Sequence, residues 1–323
     1  MVFSDFLDLV RKYNSIVIYR HKNPDGDAIG SQVGLKHLIL DNFEGKTVLC
    51  PGDMPGKYLF MKDSEPDIVP DAFIENALAV VLDTSSEALI SDDRWRLAAD
   101  TVRIDHHLFI NQICRLEIVD STFESCCGLI AELAMSSGLK ISVVSASSLF
   151  TGMVTDSGRF RYDSVNARTF ELASFLMRSG IDIQSIYNEL YSEPFSTVKF
   201  KSEFISKIRF SEHGVAYVYT TENEVKASGR SAYSISRGMV GTMADIKGCN
   251  IWVNFTESDG VVLAEIRSSS YNINPVAVKY GGGGHSKASG ATIKNREEAQ
   301  IMLNDLDLLA LNASKMKGPR KQR

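Results

Sequence analysis

Three side chains able to ligate a metal crowd into one short stretch near the start of the chain. They are His21, Asp25 and Asp27 in His21-Lys22-Asn23-Pro24-Asp25-Gly26-Asp27-Ala28. Asn23-Pro24 and Asp25-Gly26 favour a turn there, directly after the apolar run Ser15-Ile16-Val17-Ile18-Tyr19. The same residue types recur downstream. Asp83 ends the apolar run from Ala77 to Leu82, Asp105-His106-His107 follows Val102-Arg103-Ile104, and Asp156 lies in Thr155-Asp156-Ser157-Gly158. Taken singly, an aspartate at a strand end is usually a turn or helix cap. A lone His106 or His107 would more often be a core histidine with its own hydrogen bonds. Four clusters in one chain, three of them at strand ends, point instead to one metal site assembled from separate loops facing one edge. Carboxylates suit hard ions such as Mg²⁺, and added imidazole moves the preference toward Mn²⁺ and its neighbours. His21, Asp25, Asp27, Asp83, His106 and Asp156 supply enough ligands for two ions if one carboxylate bridges them. Asp83, alone at the end of a central strand, is the candidate bridge. Two ions about 3.5–4 Å apart lower the pKa of a shared water and clamp the oxygens of a phosphoryl group under attack.

The elements that must position these residues alternate. Strands are expected at Ser15–Tyr19, Thr47–Cys50, Ala77–Leu82 and Val102–Ile104, with helices at Gly26–Leu40, Cys127–Ser136 and Ala167–Met177. The last helix is followed by Ser179-Gly180, a helix stop. This predicts an α/β fold with a mostly parallel, doubly wound sheet over residues 1–185. In such sheets ligands gather beyond the carboxyl ends of the strands, where the acidic clusters lie. A helical linker is expected over 186–209, within a mainly helical stretch Ile183–Ile208 broken near Pro194. A smaller α/β domain over 210–314 follows, with strands at Val215–Tyr219, Cys249–Phe255 and Val261–Arg267 and helices at Ser231–Met239 and Arg296–Leu308. The basic tail 315–323 is expected to be disordered. In the second domain Gly281-Gly282-Gly283-Gly284 reads either as a flexible linker or as backbone that lets N–H groups approach an anion. It lacks the Lys-Ser/Thr of a P-loop, so nucleoside triphosphate binding is not indicated.

Bulk composition narrows the class. The chain has 323 residues, 44% hydrophobic and 23% charged, enough for two ordinary domains each with its own core. Asp5, Asp8, Arg11 and Lys12 interrupt the N-terminal apolar residues, so no secretory signal is read there, and no run is long enough to span a bilayer. Five cysteines without Cys-x-x-Cys spacing argue against a disulfide framework and a structural zinc site, and the cytoplasm is the expected compartment. A net charge of −5 argues against coating long nucleic acid by electrostatics alone. A small phosphate-bearing substrate is compatible with it, because two bound divalent ions add four positive charges locally.

These motifs together resemble a known family. HKNPDGDAIGS at 21–31, LDTSS at 82–86, DHH at 105–107 and TDSGRFRY at 155–162 are similar to the four motifs of the DHH phosphoesterase superfamily. IRSSS at 266–270 with GGGGH at 281–285 resembles its DHH-associated C-terminal domain, and the combination points to the bacterial nanoRNase/pAp-phosphatase subfamily. The resemblance implies an enzyme using two Mn²⁺, with Mg²⁺ as the alternative. It would cut short oligonucleotides to mononucleotides and remove the 3′-phosphate of 3′-phosphoadenosine 5′-phosphate. His21, Asp25 and Asp83 would hold one ion, and Asp27, Asp83, His106 and Asp156 the other. His107 would contact the scissile phosphate, so that His107, Asp83 and Asp27 form the catalytic set. Arg267, Ser268, Gly282, Gly283, Gly284 and His285 would grip the substrate. Implied partners are short RNA or DNA and nucleotide bisphosphates, without a membrane, and a homodimer is an admissible assembly. Two departures stand out. No Arg follows Asp83 in Ser85-Ser86-Glu87-Ala88, and Glu124-Ser125-Cys126 occupies the place of a Ser-Ser-Thr signature. Rival readings are a linear or cyclic dinucleotide phosphodiesterase, a family II inorganic pyrophosphatase and a non-catalytic nucleotide sensor.

Overall fold

The computed structural model describes residues 3–316 and divides into two compact units, Met1–Ser192 and Glu193–Arg323. In the first, five strands form one parallel sheet: β1 (Ser15–Tyr19), β2 (Thr47–Leu49), β3 (Leu78–Leu82), β4 (Asp100–Asp105) and β5 (Leu116–Val119). Their spatial order is β2-β1-β3-β4-β5. β3 is buried along its whole length and β1 from Ile16 onward, as strands covered on both faces must be. The order reverses between β1 and β3, which opens a crevice at their carboxyl ends.

The α-helices of this unit, among the described residues, are α1 (Ser4–Lys12), α2 (Gly26–Asn42), α3 (Asp71–Ile74), α4 (Cys126–Ser136), α5 (Val143–Asp156), α6 (Ala167–Met177) and α7 (Ile183–Tyr191). The sheet's period of two sorts its side chains between two layers. Ile16, Ile18, Leu78, Val80 and Ile104 join Leu35, Leu129 and Leu149 of α2, α4 and α5 in the larger core. Val17, Tyr19, Ala79 and Val81 pack on the other face with Ile74 and Trp95. Each such apolar side chain contributes roughly 1.5–3 kcal/mol by leaving water.

The closest helix pair in this unit is α2 and α5, and glycines set its spacing. Gly26, Gly30 and Gly34 recur every four residues along one face of α2. A Cβ on Gly26 would meet Thr155 at 2.4 Å, one on Gly30 the Ser148 carbonyl at 2.5 Å, and one on Gly34 Leu149 at 2.4 Å. At Gly30 the helices touch backbone to backbone, and at Gly26 and Gly34 side chains of α5 fill the space of the missing Cβ, with Asp27 of α2 and Asp156 of α5 at the same end.

The second unit contains α8 (Phe195–Ser206), β6 (Arg209–Phe210), β7 (Ala216–Thr220), α9 (Glu222–Ser228), α10 (Ala232–Met239), β8 (Ile251–Ser258), β9 (Val261–Ser268), α11 (Asn274–Lys279), β10 (Gly283–His285), β11 (Ala288–Ile293) and α12 (Arg296–Met316). Its six-stranded sheet runs β10-β11-β9-β8-β7-β6, antiparallel except for β7 beside β8. Met302 and Leu306 of α12 cover one face, and Phe204 of α8 with Ile235 of α10 cover the other.

Three details depart from the sequence reading. The expected linker over 186–209 is split: Ile186 of α7 packs into the first unit's core and Phe204 of α8 into the second's. The boundary between the units falls after Ser192, just before the helix-breaking Pro194. Asp156 is the last residue of a 14-residue helix rather than part of a loop. The expected basic tail 315–323 has its side chains outside the described residues.

Candidate metal centre

The candidate ligands stand at or just beyond the ends of strands and helices. His21 follows β1, and the chain there pairs with the segment after Asp83: Lys22 N–H donates to the Leu89 carbonyl at 2.7 Å. Asp25 is the N-cap of α2, its Oδ1 accepting from the amides of Asp27 and Ala28 at 3.0 Å each. The bland reading of this residue as a cap is therefore correct, yet its side chain also lies 3.7 Å from His21 Nε2. Asp83 leaves β3 with a left-handed φ of 50° and is anchored by its N–H to the Ile104 carbonyl of β4. Such a backbone costs on the order of 1–3 kcal/mol and survives where neighbours over-determine it.

The distances draw these residues into three overlapping clusters: His21, Asp25 and Asp83; Asp27, His106 and Asp156; and Asp83, His106 and His107. Within each, one ligand atom per residue lies within 4.8 Å of the others. The two oxygens of Asp83 face different ways. Oδ2 is 3.5 Å from His21 Nε2, and Oδ1 is 3.5 Å from His106 Nε2. His106 Nε2 is also 3.8 Å from Asp27 Oδ2 and 3.4 Å from Asp156 Oδ2.

Charge in this centre is crowded and only partly balanced. Burial, followed by the charges of Asp83 and Asp156, pushes the Asp27 carboxyl well above its ordinary range. Burial likewise raises Asp156 to about 6, with Asp83 adding to it against the opposing pull of His106. Burial disfavours protonation of His21, but Asp25 and Asp83 outweigh it and lift the ring to about 11. His106 is lifted to about 10 in the same way, burial being overcome by Asp83 and Asp27. Bound divalent cations would relieve this repulsion, and a mixed imidazole and carboxylate donor set suits them. The residues present thus fit metal ions.

Sequence reasoning missed what holds Asp27. Asp27 is almost wholly buried, and its Oδ2 and Oδ1 accept from the amides of Cys126 at 2.7 Å and Cys127 at 2.9 Å. These are the first two residues of α4, whose unpaired N–H groups favour an anion. Ser125 caps that helix through Gly128 N–H, while buried Glu124 accepts from Ser125 Oγ and Thr169 Oγ1 of α6. The departing Glu124-Ser125-Cys126 segment therefore positions a candidate ligand. A Ser immediately before a helical run was the signal for it. Asp105 also lacked an assigned role: its Oδ1 accepts from His107 Nδ1 at 2.7 Å. That hydrogen bond raises the His107 pKa, against burial.

In the second unit the expected substrate residues are mostly committed to their own surroundings. Arg267 Nη1 donates to Glu265 Oε2 at 3.0 Å and to the Ile266 carbonyl at 2.9 Å. Ser268 is buried; its Oγ donates to the Asn250 carbonyl and accepts from the amides of Ser270 and Tyr271. Gly281 and Gly282 N–H groups close the end of α11 on Val278 and Ala277, while Gly283 and Gly284 pair in the β10–β11 hairpin. Gly282 is obligatory there, because a Cβ would meet the Gly290 carbonyl at 2.1 Å. His285 stands exposed at the end of β10.

The comparisons with known proteins identify the family and the fold. Residues 15–153 match the DHH family, N-terminal domain, and residues 214–310 match the DHHA1 domain. The chain is 31% identical over 309 residues to the bifunctional oligoribonuclease and PAP phosphatase NrnA of Bacillus subtilis, covering 95% of this chain and 98% of that one. It is 31% identical to the protein of the same description from Mycoplasma genitalium, over 94% of this chain and 96% of the other. A solved structure of an exopolyphosphatase-related protein from Bacteroides fragilis superposes with a TM-score of 0.84 at 27% identity, covering 95% and 97% of the two chains. The chain belongs to the DHH phosphoesterase family, with a DHHA1 domain following its DHH domain. It is accordingly a hydrolase of a metal-dependent class, and its acidic and histidine clusters can hold metal.

Proposed function

We propose that this enzyme hydrolyses short oligoribonucleotides to mononucleotides and 3′-phosphoadenosine 5′-phosphate to AMP and phosphate, using two Mn²⁺ ions. The single observation that carries the two-ion reading is the orientation of Asp83, with one carboxylate oxygen toward His21 and the other toward His106. His21, Asp25 and Asp83 would hold one ion, and Asp27, Asp83, His106 and Asp156 the other; Mg²⁺ would serve less well with two imidazoles present. When bound, such ions neutralise phosphate charge and make a nearby water more acidic.

The chain's own groups supply the rest. Asp105 fixes the Nδ1 side of His107, which leaves Nε2 free to meet the substrate. The protonated ring would sit against the scissile phosphate and pass its proton to the departing 3′-oxygen, a general-acid role. In both proposed substrates water's oxygen becomes bonded to phosphorus as the P–O3′ bond breaks. Asp27, held by two amides of α4, keeps its position through that change. From the second unit His285 would hold the substrate, on a framework built by Arg267, Ser268, Gly282, Gly283 and Gly284. Exposed His285 is the strongest contact candidate among them.

The test is Mn²⁺-dependent turnover of a matched panel: RNAs of graded length, pApA, 3′-phosphoadenosine 5′-phosphate and pyrophosphate. Fast cleavage of the shortest RNAs and of the bisphosphate supports the reading. Cleavage of pApA or a cyclic dinucleotide alone would move the chain to dinucleotide phosphodiesterases, and cleavage of pyrophosphate alone to pyrophosphatases. Metal binding without any turnover would leave a nucleotide sensor.

A further inference from the structure

Immediately after Asp156 the backbone takes three successive left-handed residues, Gly158, Arg159 and Phe160, with φ of 58°, 64° and 60°. Two of the three carry side chains that disfavour this conformation. The segment is nevertheless fixed at many points. Arg159 N–H donates to the Val154 carbonyl at 2.8 Å, and Phe160 N–H to Ser157 Oγ at 2.9 Å. The Phe160 ring is set between Phe150 and Phe170, at 5.9 and 5.6 Å. So tight a frame around an unfavourable backbone marks a side chain that must be aimed, and that side chain is Arg159.

Arg159 is exposed, and its guanidinium lies 4.5 Å from the centre of the Tyr191 ring. Among the described residues it has no carboxylate partner. This contrasts with Arg94, Arg96, Arg103 and Arg168 of the same unit, each paired with an acid. A guanidinium held over an aromatic ring and without an acid partner has N–H groups available for a bidentate anion. The surroundings link this pair to the metal centre. Tyr58 packs in one cluster with Leu190, the neighbour of Tyr191. The same cluster holds Ile29 and Val33 of α2, the helix that Asp25 caps. Arg159 itself stands three residues after Asp156, its N–H bonded to the Val154 carbonyl of the helix that ends there.

We infer that Arg159, backed by Tyr191, binds the 5′-phosphate of the nucleoside whose 3′-phosphoryl group is hydrolysed. This rests on the proposed function and deepens it. A 5′-phosphorylated dinucleotide and 3′-phosphoadenosine 5′-phosphate look unlike one another, but both lose the bond from phosphorus to the 3′-oxygen of a nucleoside 5′-phosphate. One cation placed for that 5′-phosphate serves both substrates, and it orients oligonucleotides so that the 5′-terminal nucleotide is released first.

The experiment compares pApA with ApA on the Mn²⁺-loaded enzyme and its Arg159→Gln, Tyr191→Phe and Tyr191→Ala variants. Arg159→Gln should raise KM for pApA about tenfold, the loss of one charge-assisted contact, while the penalty on ApA stays several-fold smaller. Tyr191→Ala should repeat this selectivity, and Tyr191→Phe, which keeps the ring, should restore it. Equal penalties on the two dinucleotides, or none on either, would overturn the inference. Calorimetric titration with phosphorothioate-linked versions of the same pair gives a separate readout. If wild-type enzyme cleaves neither dinucleotide, the proposed function fails, and Arg159→Gln selectively weakening the 5′-phosphorylated analogue would still uphold the subsite. Failure of that selectivity would end it.

Discussion

The two units hold their candidate residues in opposite ways. In the first, Asp27, Asp83 and Asp156 are buried or half-buried close together, and their mutual repulsion is left standing. In the second, Arg267 is matched by Glu265, and Ser268 satisfies two amides of its own turn and reaches the Asn250 carbonyl. Packing around the first centre is extensive, yet it serves to keep like charges together rather than apart. That is costly in the metal-free protein and useful only if something positive binds. The second unit has a quieter economy, in which polar groups stabilise the framework and an exposed His285 is left over. Where internal bonds are complete, a motif residue is better read as framework, and where they conflict, as a ligand.

The sharpest way to break this contrast is at Asp83. Asp83→Asn keeps the side-chain shape and the left-handed backbone but removes one buried negative charge. Turnover should fall by a factor on the order of 10³ or more, and calorimetry should show metal lost from both clusters. The metal-free thermal midpoint should stay level or rise, while added Mn²⁺ should no longer raise it. Retained binding of two ions would sink the bridging assignment.

Glu117→Gln addresses framework within the first unit. Arg103 is buried, and its Nε donates to Glu117 at 2.5 Å beside the Asp105-His106-His107 segment. Removing the acid's charge should cost roughly 3 kcal/mol of stability, because a buried guanidinium loses its counter-charge. Urea unfolding would check this, and a loss under about 1 kcal/mol would class the pair with solvated surface bridges. Ser268→Ala should cost about 1–2 kcal/mol by taking the Oγ acceptor from the amides of Ser270 and Tyr271, while the Asn250 carbonyl keeps the Ser269 N–H. If it raised KM more than His285→Ala did, Ser268 would change from framework to contact. The mildest change is His285→Ala, expected to raise KM roughly tenfold or less with both metals retained. Loss of metal there would show that the residue sits elsewhere in the scheme.

Much of the first unit was legible because its signals are local. The strand Ser15–Tyr19 and the helix Ala167–Met177 have the expected limits, since each shows one clear period bounded by turn residues or caps. The ligand candidates were legible because rare residue types stood at strand ends. By contrast α5, which carries Asp156, was not read as a helix. Its serines and threonines are poor helix formers, and burial of Ser148–Val154 on every side erases the amphipathic pattern. The hold of Cys126 and Cys127 on Asp27 was also hidden, because it is made by backbone amides that any residue type could supply. The glycine run misled for a related reason. Gly282 and Gly284 look permissive in sequence, but close contacts from β11 are what demand them.

The glycine stripe of α2 bears on how the chain is made. Three glycines each weaken an isolated helix by about 1 kcal/mol relative to alanine, so α2 has little reason to persist before α5 arrives to cover it. During synthesis His21, Asp25, Asp27 and Asp83 emerge from the ribosome long before Val143–Asp156 exists. For that interval the growing chain displays most of the ligands with nothing to gather them. The cluster of Asp27, His106 and Asp156 is thereby the last to be completed, since it waits for the final residue of α5.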